Sequence, residues 1–177
     1  MDIERINRGL ERGLGRTLLA PMYRGFVRRM DIERQDAVLD FGCGTGNTAR
    51  HIAKKAGALV CLDIDTVKLG IAQKALRRYD NVTFADTRIE DAGLDGTFSK
   101  IVAFYVLHDF SEALLRRTAD AFLTALQPGG HVYVCEPKKP SHGIAPVLVS
   151  SCFESAGFTL IRDEQKRSSF FMVFERV

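Results

Sequence analysis

A glycine loop between a predicted strand and a predicted helix constrains the fold of this chain more than any other stretch. Residues 38–47 read Val-Leu-Asp-Phe-Gly-Cys-Gly-Thr-Gly-Asn, and their acid and alternate glycines are Asp40, Gly42, Gly44 and Gly46. The apolar residues before the loop predict a buried strand, and apolar residues at spacings of three and four after it predict a helix. Glycine permits positive φ and lacks the Cβ that would hold a ligand off. We therefore expect the loop and the helix N-terminus to present backbone N–H groups to a ligand.

Predicted strands and helices alternate from residue 37 to the end of the chain. The strands are predicted at 37–41, 58–63, 82–85, 100–105, 131–136, 158–163 and 169–176, and the helices at 47–56, 66–78, 111–125 and 144–156. Such alternation predicts an α/β fold, with a mostly parallel, doubly wound sheet of seven strands and helices on both faces. Only residues 164–168 join the last two strands, which is too short for a crossover, so the last strand is expected to be antiparallel.

The acid and the three glycines of the loop resemble motif I of the class I S-adenosylmethionine (SAM)-dependent methyltransferases, whose pattern is acid-x-Gly-x-Gly-x-Gly. Two later stretches also resemble this family. Residues 126–130, Leu-Gln-Pro-Gly-Gly, are similar to its turn from a helix into the fifth strand, and residues 156–158, Ala-Gly-Phe, to the start of its sixth strand. The resemblance covers residues 36–177 and implies a Rossmann-like, SAM-binding methyltransferase domain in which the loop residues bind the cofactor.

An acid is expected at the end of the second strand, where Asp63 lies 21 residues after Gly42. In methyltransferases and dinucleotide enzymes alike, an acid at this place accepts hydrogen bonds from a ribose diol. Asp63 therefore indicates a nucleoside without identifying it, and Ile64 would flank the adenine. Asp65 directly precedes a predicted helix and is expected to be its N-cap.

The family resemblance also implies roles for residues at the ends of the third and fourth strands. Asp86 would meet the adenine amino group, and the backbone N–H of Thr87 would meet a ring nitrogen. The family places the methyl acceptor at the end of the fourth strand, so Tyr105 is expected to contact the cofactor there. His108 is the candidate catalytic residue, as a base or as a group that orients the nucleophile; the alternative is a partly buried loop histidine. Asp109 is expected to cap the next helix.

The N-terminal segment is basic, whereas the rest of the chain is nearly neutral. Residues 1–30 contain seven Arg and three acids, a net charge of +4, and the remainder carries −1. In residues 2–18, Leu and Ile repeat at helical spacing, and arginines lie on the opposite face at 5, 8, 12 and 16. We expect residues 1–35 to form an N-terminal helical lid that presents arginine to an anionic substrate. The alternative is a solvated polar face.

The cysteine pattern and the hydropathy exclude several classes of protein. Cys43, Cys61, Cys135 and Cys152 form no Cys-x-x-Cys pair, so we expect buried free thiols in a reducing, cytoplasmic compartment and no metal site. No apolar run approaches the roughly 20 residues that a membrane-spanning helix needs. The N-terminus also lacks the apolar segment of a signal peptide.

Three functions are compatible with these patterns. The favoured one is a SAM-dependent methyltransferase acting on a small-molecule or lipid-like acceptor, an anionic one if the N-terminal arginines hold it. An NAD(P)-dependent oxidoreductase is disfavoured, because G-x-G-x-x-G needs a small residue where this chain has Asn47. A non-catalytic SAM- or RNA-binding module has only the basic N-terminal segment as support. Nucleic acid is a disfavoured substrate, since the chain lacks the Asn-Pro-Pro-Tyr, Asp-Pro-Pro-Tyr and Pro-Cys motifs used on bases.

Overall fold

The computed structural model describes residues 20–139 and 142–177. The strands are β1 (Ala37–Phe41), β2 (Ala58–Leu62), β3 (Val82–Ala85), β4 (Phe98–Phe104), β5 (Leu126–Lys139), β6 (His142–Gly143), β7 (Phe158–Gln165) and β8 (Ser169–Arg176). The helices are α1 (Ala20–Arg28), α2 (Ala49–Ile52), α3 (Thr66–Leu76), α4 (Glu112–Ala125) and α5 (Pro146–Ala156), and 3-10 turns lie at Ile89–Asp91 and Leu107–Asp109.

The strand order is β3-β2-β1-β4-β5-β8-β7, with β6 as a two-residue addition beside the end of β5. The strands β1 to β5 pair in parallel, and β8 runs antiparallel to both β5 and β7. The predicted seven-stranded α/β sheet with an antiparallel last strand is therefore confirmed. The short link between β7 and β8 is long enough for a hairpin but too short for a crossover. The antiparallel direction of β8 could therefore be predicted from the sequence.

Two hydrophobic clusters lie on opposite faces of the sheet, which confirms that helices cover both faces. Alternate residues of β1 divide between them, as the two-residue period of a strand requires. Leu39 and Phe41 join the cluster that contains Phe122 of α4, and the rings of Phe41 and Phe122 are 4.9 Å apart. Val38 joins the cluster that contains Phe26 of α1. Each such side chain contributes about 1.5–3 kcal/mol on burial.

The described part of the N-terminal segment packs into the second of these clusters. Phe26, Val27, Met30 and Ile32 are all buried there. The ring of Phe26 lies 4.5 Å from that of Phe104, so α1 covers the end of β4. Residues 1–19, which hold the arginine stripe and the predicted helix over 2–18, lie outside the described residues.

Two local predictions are corrected at the start of α4 and of β5. Ser111 caps α4, because its Oγ accepts the N–H of Leu114 at 3.2 Å; Asp109, the predicted cap, belongs instead to the preceding 3-10 turn. β5 begins at Leu126, which pairs with Phe98, and not at residue 131. The register then shifts, so residues 127–130 form a bulge inside the strand. The Pro-Gly-Gly sequence accounts for this bulge, since proline cannot donate to the ladder.

Other local predictions are confirmed. Asp65 caps α3, and its Oδ1 accepts the N–H groups of Val67 at 3.1 Å and Lys68 at 3.0 Å. All four cysteines are free and buried. Within residues 20–139 and 142–177, no helix combines the length and apolar character needed to cross a bilayer.

Candidate functional site

The carboxyl ends of four parallel strands meet at one edge of the sheet. Phe41 of β1 pairs with Leu62 of β2, and Leu62 pairs with Ala85 of β3. On the other side, Phe41 pairs with Ala103 of β4. Ligands of doubly wound sheets bind beyond this edge, where the strand order reverses, here between β1 and β4. The candidate residues that follow these strands are Gly42, Asp63, Asp86 and Tyr105.

The three loop glycines all have positive φ, but their surroundings differ. A Cβ on Gly42 (φ +66°) would lie 2.3 Å from Cγ2 of Val106. A Cβ on Gly46 (φ +77°) would lie 3.2 Å from the Cβ of Ala72 on α3. A Cβ on Gly44 (φ +52°) would have no neighbour within 4 Å in the described part of the chain. Only Gly44 therefore has the open space that we expected above all three, and the other two permit close packing.

The backbone N–H groups of the loop donate mostly to protein acceptors, which corrects the expectation that they face a ligand. The N–H groups of Gly42 and Cys43 both donate to the carbonyl of Leu62, at 2.8 and 3.1 Å. That of Gly44 donates to Oδ2 of Asp63 at 2.7 Å. These bonds pin the loop to the end of β2, and the open space at Gly44 lies beside them.

Asp40 carries an unsatisfied polar atom next to this loop. Its side chain is buried at 2% exposure, and Oδ2 has no hydrogen-bond partner among the described residues. Burial, and then the negative charge of Asp63, raise the pKa of Asp40 from 3.8 to about 8, although a hydrogen bond from the N–H of Ala49 opposes them. The buried carboxyl group is therefore mostly protonated at neutral pH in the ligand-free protein, since ionisation without a partner is costly. A ligand that brings a cationic N–H donor would stabilise the ionised form.

Asp63 and Ile64 extend the same edge. Oδ2 of Asp63 accepts the N–H of Gly44, and Oδ1 accepts that of Asp65 at 2.9 Å. Each carboxylate oxygen has two lone pairs, so Asp63 retains acceptor capacity for hydroxyl groups. Ile64 is 71% exposed, which leaves a large apolar side chain in water beside that carboxylate. Asp63 and Ile64 thus offer one polar and one apolar surface, which are the two kinds of surface that a nucleoside needs for binding.

The end of β3 lies beside the end of β2. The N–H of Asp63 donates to the carbonyl of Ala85 at 3.2 Å, which ties the two strand ends together. The next residue, Asp86, is exposed, and Thr87 is half-buried. The structure thus brings Asp86 and Thr87 to the edge that also carries Asp63, and both remain accessible to a ligand.

Tyr105 is the one non-glycine residue with positive φ (+55°) in the described ranges. This conformation costs about 1–2 kcal/mol outside glycine. The Tyr105 ring stacks on Phe104 at 4.6 Å and 11°, and the side chain is 39% exposed. Tyr23 of α1 lies 5.3 Å from Phe104, and Phe26 contacts Phe104 beside it. We call Tyr23, Phe26, Phe104 and Tyr105 the aromatic wall; it lies beside the end of β4.

Glu136, near the end of β5, organises the turn that follows β4, and it was not among the predicted site residues. Its side chain has no solvent exposure. Oε1 accepts the N–H groups of Val106 and Leu107, each at 2.8 Å, and Oε2 lies 2.8 Å from Nδ1 of His108. These bonds hold the turn after the strained Tyr105. The sequence contains one signal for this role of Glu136. An acid follows the apolar residues of β5, and the neighbouring strand β4 leads to the candidate base His108.

His108 is almost fully enclosed, with 7% of its side chain exposed. The hydrogen bond to Glu136 raises the pKa of His108 above its ordinary value of 6.5; burial lowers it, and the negative charges of Glu136 and Asp109 add to the rise. With Nδ1 donating to Glu136, Nε2 is the atom that can accept a proton. Oδ2 of Asp109 lies 3.6 Å from Nε2. Glu136 therefore stabilises the imidazolium that forms when Nε2 takes up a proton. Over the described residues, no group of three or more His, Cys, Asp or Glu could hold a metal ion.

Comparison with known proteins identifies relatives of this chain. A model of the methyltransferase domain family matches residues 38–130, more than half of the sequence. The demethylmenaquinone methyltransferase of Tropheryma whipplei (strain Twist) is 30% identical over 123 residues, which are 70% of this chain and 51% of the relative. The chain therefore spans about half the length of the curated relatives it matches.

Two solved structures share the fold. The [4+2]-cyclase SpnF superposes with a TM-score of 0.77 at 17% identity, over 89% of this chain and 81% of that one. The N-methyltransferase NodS from Bradyrhizobium japonicum WM9, in complex with S-adenosyl-L-homocysteine, superposes with a TM-score of 0.71 at 19% identity, over 80% and 78%. Because a cyclase and a methyltransferase share this architecture, the fold by itself does not specify the reaction.

Proposed function

Because this chain belongs to the class I SAM-dependent methyltransferases, we propose that it transfers the methyl group of SAM to a small-molecule or lipid-like acceptor at the edge beyond β1 and β4. The observation that carries this proposal is the pairing of two features beside one loop. Among the described residues, Gly44 has open space where a Cβ would stand, and the neighbouring Asp40 has a buried carboxyl oxygen without a hydrogen-bond partner. The family match sets aside the NAD(P)-dependent alternative.

The residues at this edge suit the groups that SAM presents. Asp40 would accept a hydrogen bond from its ammonium group, and Asp63 would accept the ribose hydroxyls. Ile64 would cover one face of the adenine. The remaining candidates for cofactor contact are the three loop glycines, of which Gly44 would lie closest to the ligand, together with Asp86 and Thr87 for the adenine edge and Tyr105 for the methionine end. When bound, SAM supplies a methyl group on a sulfonium sulfur, a donor that needs no further activation.

The contribution of the protein is then to align the acceptor and to take up its proton. Glu136 fixes the tautomer of His108, so Nε2 would receive a proton from an acceptor hydroxyl as the acceptor becomes nucleophilic. The raised pKa of His108 makes it a stronger base than an ordinary histidine. The exposed ring of Tyr105, at the outer end of the aromatic wall, would contact an apolar ring. These features favour an acceptor with an ionisable hydroxyl on an aromatic or quinol ring.

The similarity to demethylmenaquinone methyltransferases supports the same class of acceptor. The test is incubation with methyl-labelled SAM and a reduced naphthoquinone, followed by mass spectrometry of the acceptor. We expect label in the acceptor, and we expect His108→Ala to lower turnover by about 100-fold or more while SAM affinity changes little. His131→Ala is the matched control, because His131 is a partly buried histidine that contacts Lys100 near the opposite end of β4. SAM binding without any transfer would favour the non-catalytic alternative, and a failure to bind SAM would refute the proposal.

A further inference from the structure

A groove with no part in the proposed reaction lies between α1 and α2. Its volume is about 440 Å³, and it is lined by Ala20, Pro21, Arg24, Gly25, Arg28 and His51. Arg24 and Arg28 are four residues apart on α1, and both are exposed. Side chains at this spacing lie on the same face of a helix, about 5–6 Å apart at Cβ. Two guanidinium groups can therefore reach the same point above the groove.

His51 supplies an unsatisfied polar atom in this groove. Nε2 of His51 is buried and has no hydrogen-bond partner among the described residues. Burial lowers the pKa of His51, and the positive charges of Arg50, Lys54 and Arg24 lower it further. Among the described residues, the charges that shift this pKa are all positive, so the groove concentrates positive charge around the imidazole. An anion with several acceptor oxygens would satisfy both the charge and the unpaired ring nitrogen.

We propose that this groove binds a phosphate group, held by Arg24 and Arg28 and by an N–H of His51. Guanidinium groups match the geometry of phosphate oxygens and form paired, charge-assisted hydrogen bonds with them. Gly25 lies between the two arginines, and a Cβ there would have no neighbour within 4 Å over residues 20–139 and 142–177. A glycine inside a helix costs about 1 kcal/mol relative to alanine, and here it leaves the floor of the groove open. The inference does not depend on the proposed methyl transfer.

The ligand would be a phosphate ester, either the headgroup of an anionic lipid or a soluble compound. The experiment measures binding of inorganic phosphate by calorimetry, and co-sedimentation with phosphatidylglycerol and phosphatidylcholine vesicles. The test variant combines Arg24→Gln with Arg28→Gln. The matched control combines Arg77→Gln with Arg167→Gln, which removes the same charge from exposed positions elsewhere. A third variant, Gly25→Leu, fills the groove and keeps every charge.

We expect the wild-type protein to bind phosphate, the double groove variant to bind about 25-fold more weakly, and the control to stay within about twofold of wild type. Gly25→Leu is expected to weaken binding as well. Sedimentation with phosphatidylglycerol alone, reversed by phosphate, would assign the ligand to a lipid headgroup. Phosphate binding without sedimentation would assign it to a soluble ester.

Other outcomes would overturn the proposal. If the wild type does not bind phosphate, the groove is not a phosphate site. If the control variant loses as much affinity as the groove variant, general surface charge is responsible for the binding. Unchanged binding in Gly25→Leu would exclude a built groove. If the double groove variant loses SAM affinity together with phosphate affinity, the arginines serve the methyl donor instead. Calorimetry with SAM on the same samples separates this failure from a failure of the proposed function.

Discussion

Replacing Glu136 with glutamine tests the most buried charged group at the candidate site. Oε1 of the glutamine can still accept the N–H groups of Val106 and Leu107, so the turn after Tyr105 is expected to persist. The amide nitrogen replaces Oε2, however, and it cannot accept the Nδ1–H of His108, which now lies 2.8 Å from that atom. A buried, charge-assisted hydrogen bond of this kind contributes about 1.5–3 kcal/mol, which is the stability loss we expect.

The same substitution is expected to lower the pKa of His108. Glu136 is the main cause of its rise, and burial, which opposes the rise, remains in the variant. In the wild type, protonated His108 stabilises the folded protein, and this stabilisation is fully present below the unfolded-state pKa of about 6.5. It is lost as the pH rises through the higher pKa that His108 has in the folded protein. Glu136→Gln should therefore remove this loss of stability around and above neutral pH.

The measurements are imidazole titration by NMR and urea unfolding at several pH values. Glu175→Gln is the matched control, because Glu175 lies 3.9 Å from the ring of His131 and is partly exposed. The control should shift the pKa of its histidine little and lower stability by less than about 1 kcal/mol. If the pKa of His108 is unchanged in Glu136→Gln, the pairing on which the proposed proton transfer depends is wrong.

Three further predictions concern the glycine loop and its acids. Gly44→Ala should lower the free energy of unfolding by about 1–2 kcal/mol, because the position has a positive φ. Gly42→Ala should lower it by about 2–5 kcal/mol, because the added Cβ also meets Val106. Equal losses in urea unfolding would contradict the difference in surroundings between the two glycines. Asp63→Ala should weaken SAM binding by about 1.5–3 kcal/mol in calorimetry, and unchanged affinity would remove Asp63 from the site. Asp40 has a folded-state pKa of about 8, so the folded protein binds more protons than the unfolded chain and ligand-free stability should fall between pH 4 and pH 8. Asp40→Asn should flatten that fall in urea unfolding, and an unchanged slope would show that Asp40 is ionised when buried.

The succession of strands and helices along the chain and the antiparallel direction of the last strand were predictable, because they depend on residues close together in the chain. A strand alternates every two residues and a helix every 3.6, and the five-residue link 164–168 permits only a hairpin. The cap at Asp65 follows from the same local geometry. Local signals also misled at Asp109 and at residue 131. There, a 3-10 turn held by Glu136 and a strand bulge, both formed through contacts beyond the immediate neighbours, moved the cap of α4 from Asp109 to Ser111 and the start of β5 from residue 131 to Leu126.

The alternation of strands and helices, the glycine loop and the acids at the strand ends can be read from the residue order, since each is a pattern within a few residues. Two features required the folded chain: Gly44 faces open space while Gly42 packs on Val106, and Glu136 reaches His108 from the neighbouring strand. Burial and electrostatic interaction depend on distances in space, which the residue order does not give. Residues 28 positions apart in the chain, such as His108 and Glu136, become partners only when β4 and β5 pair.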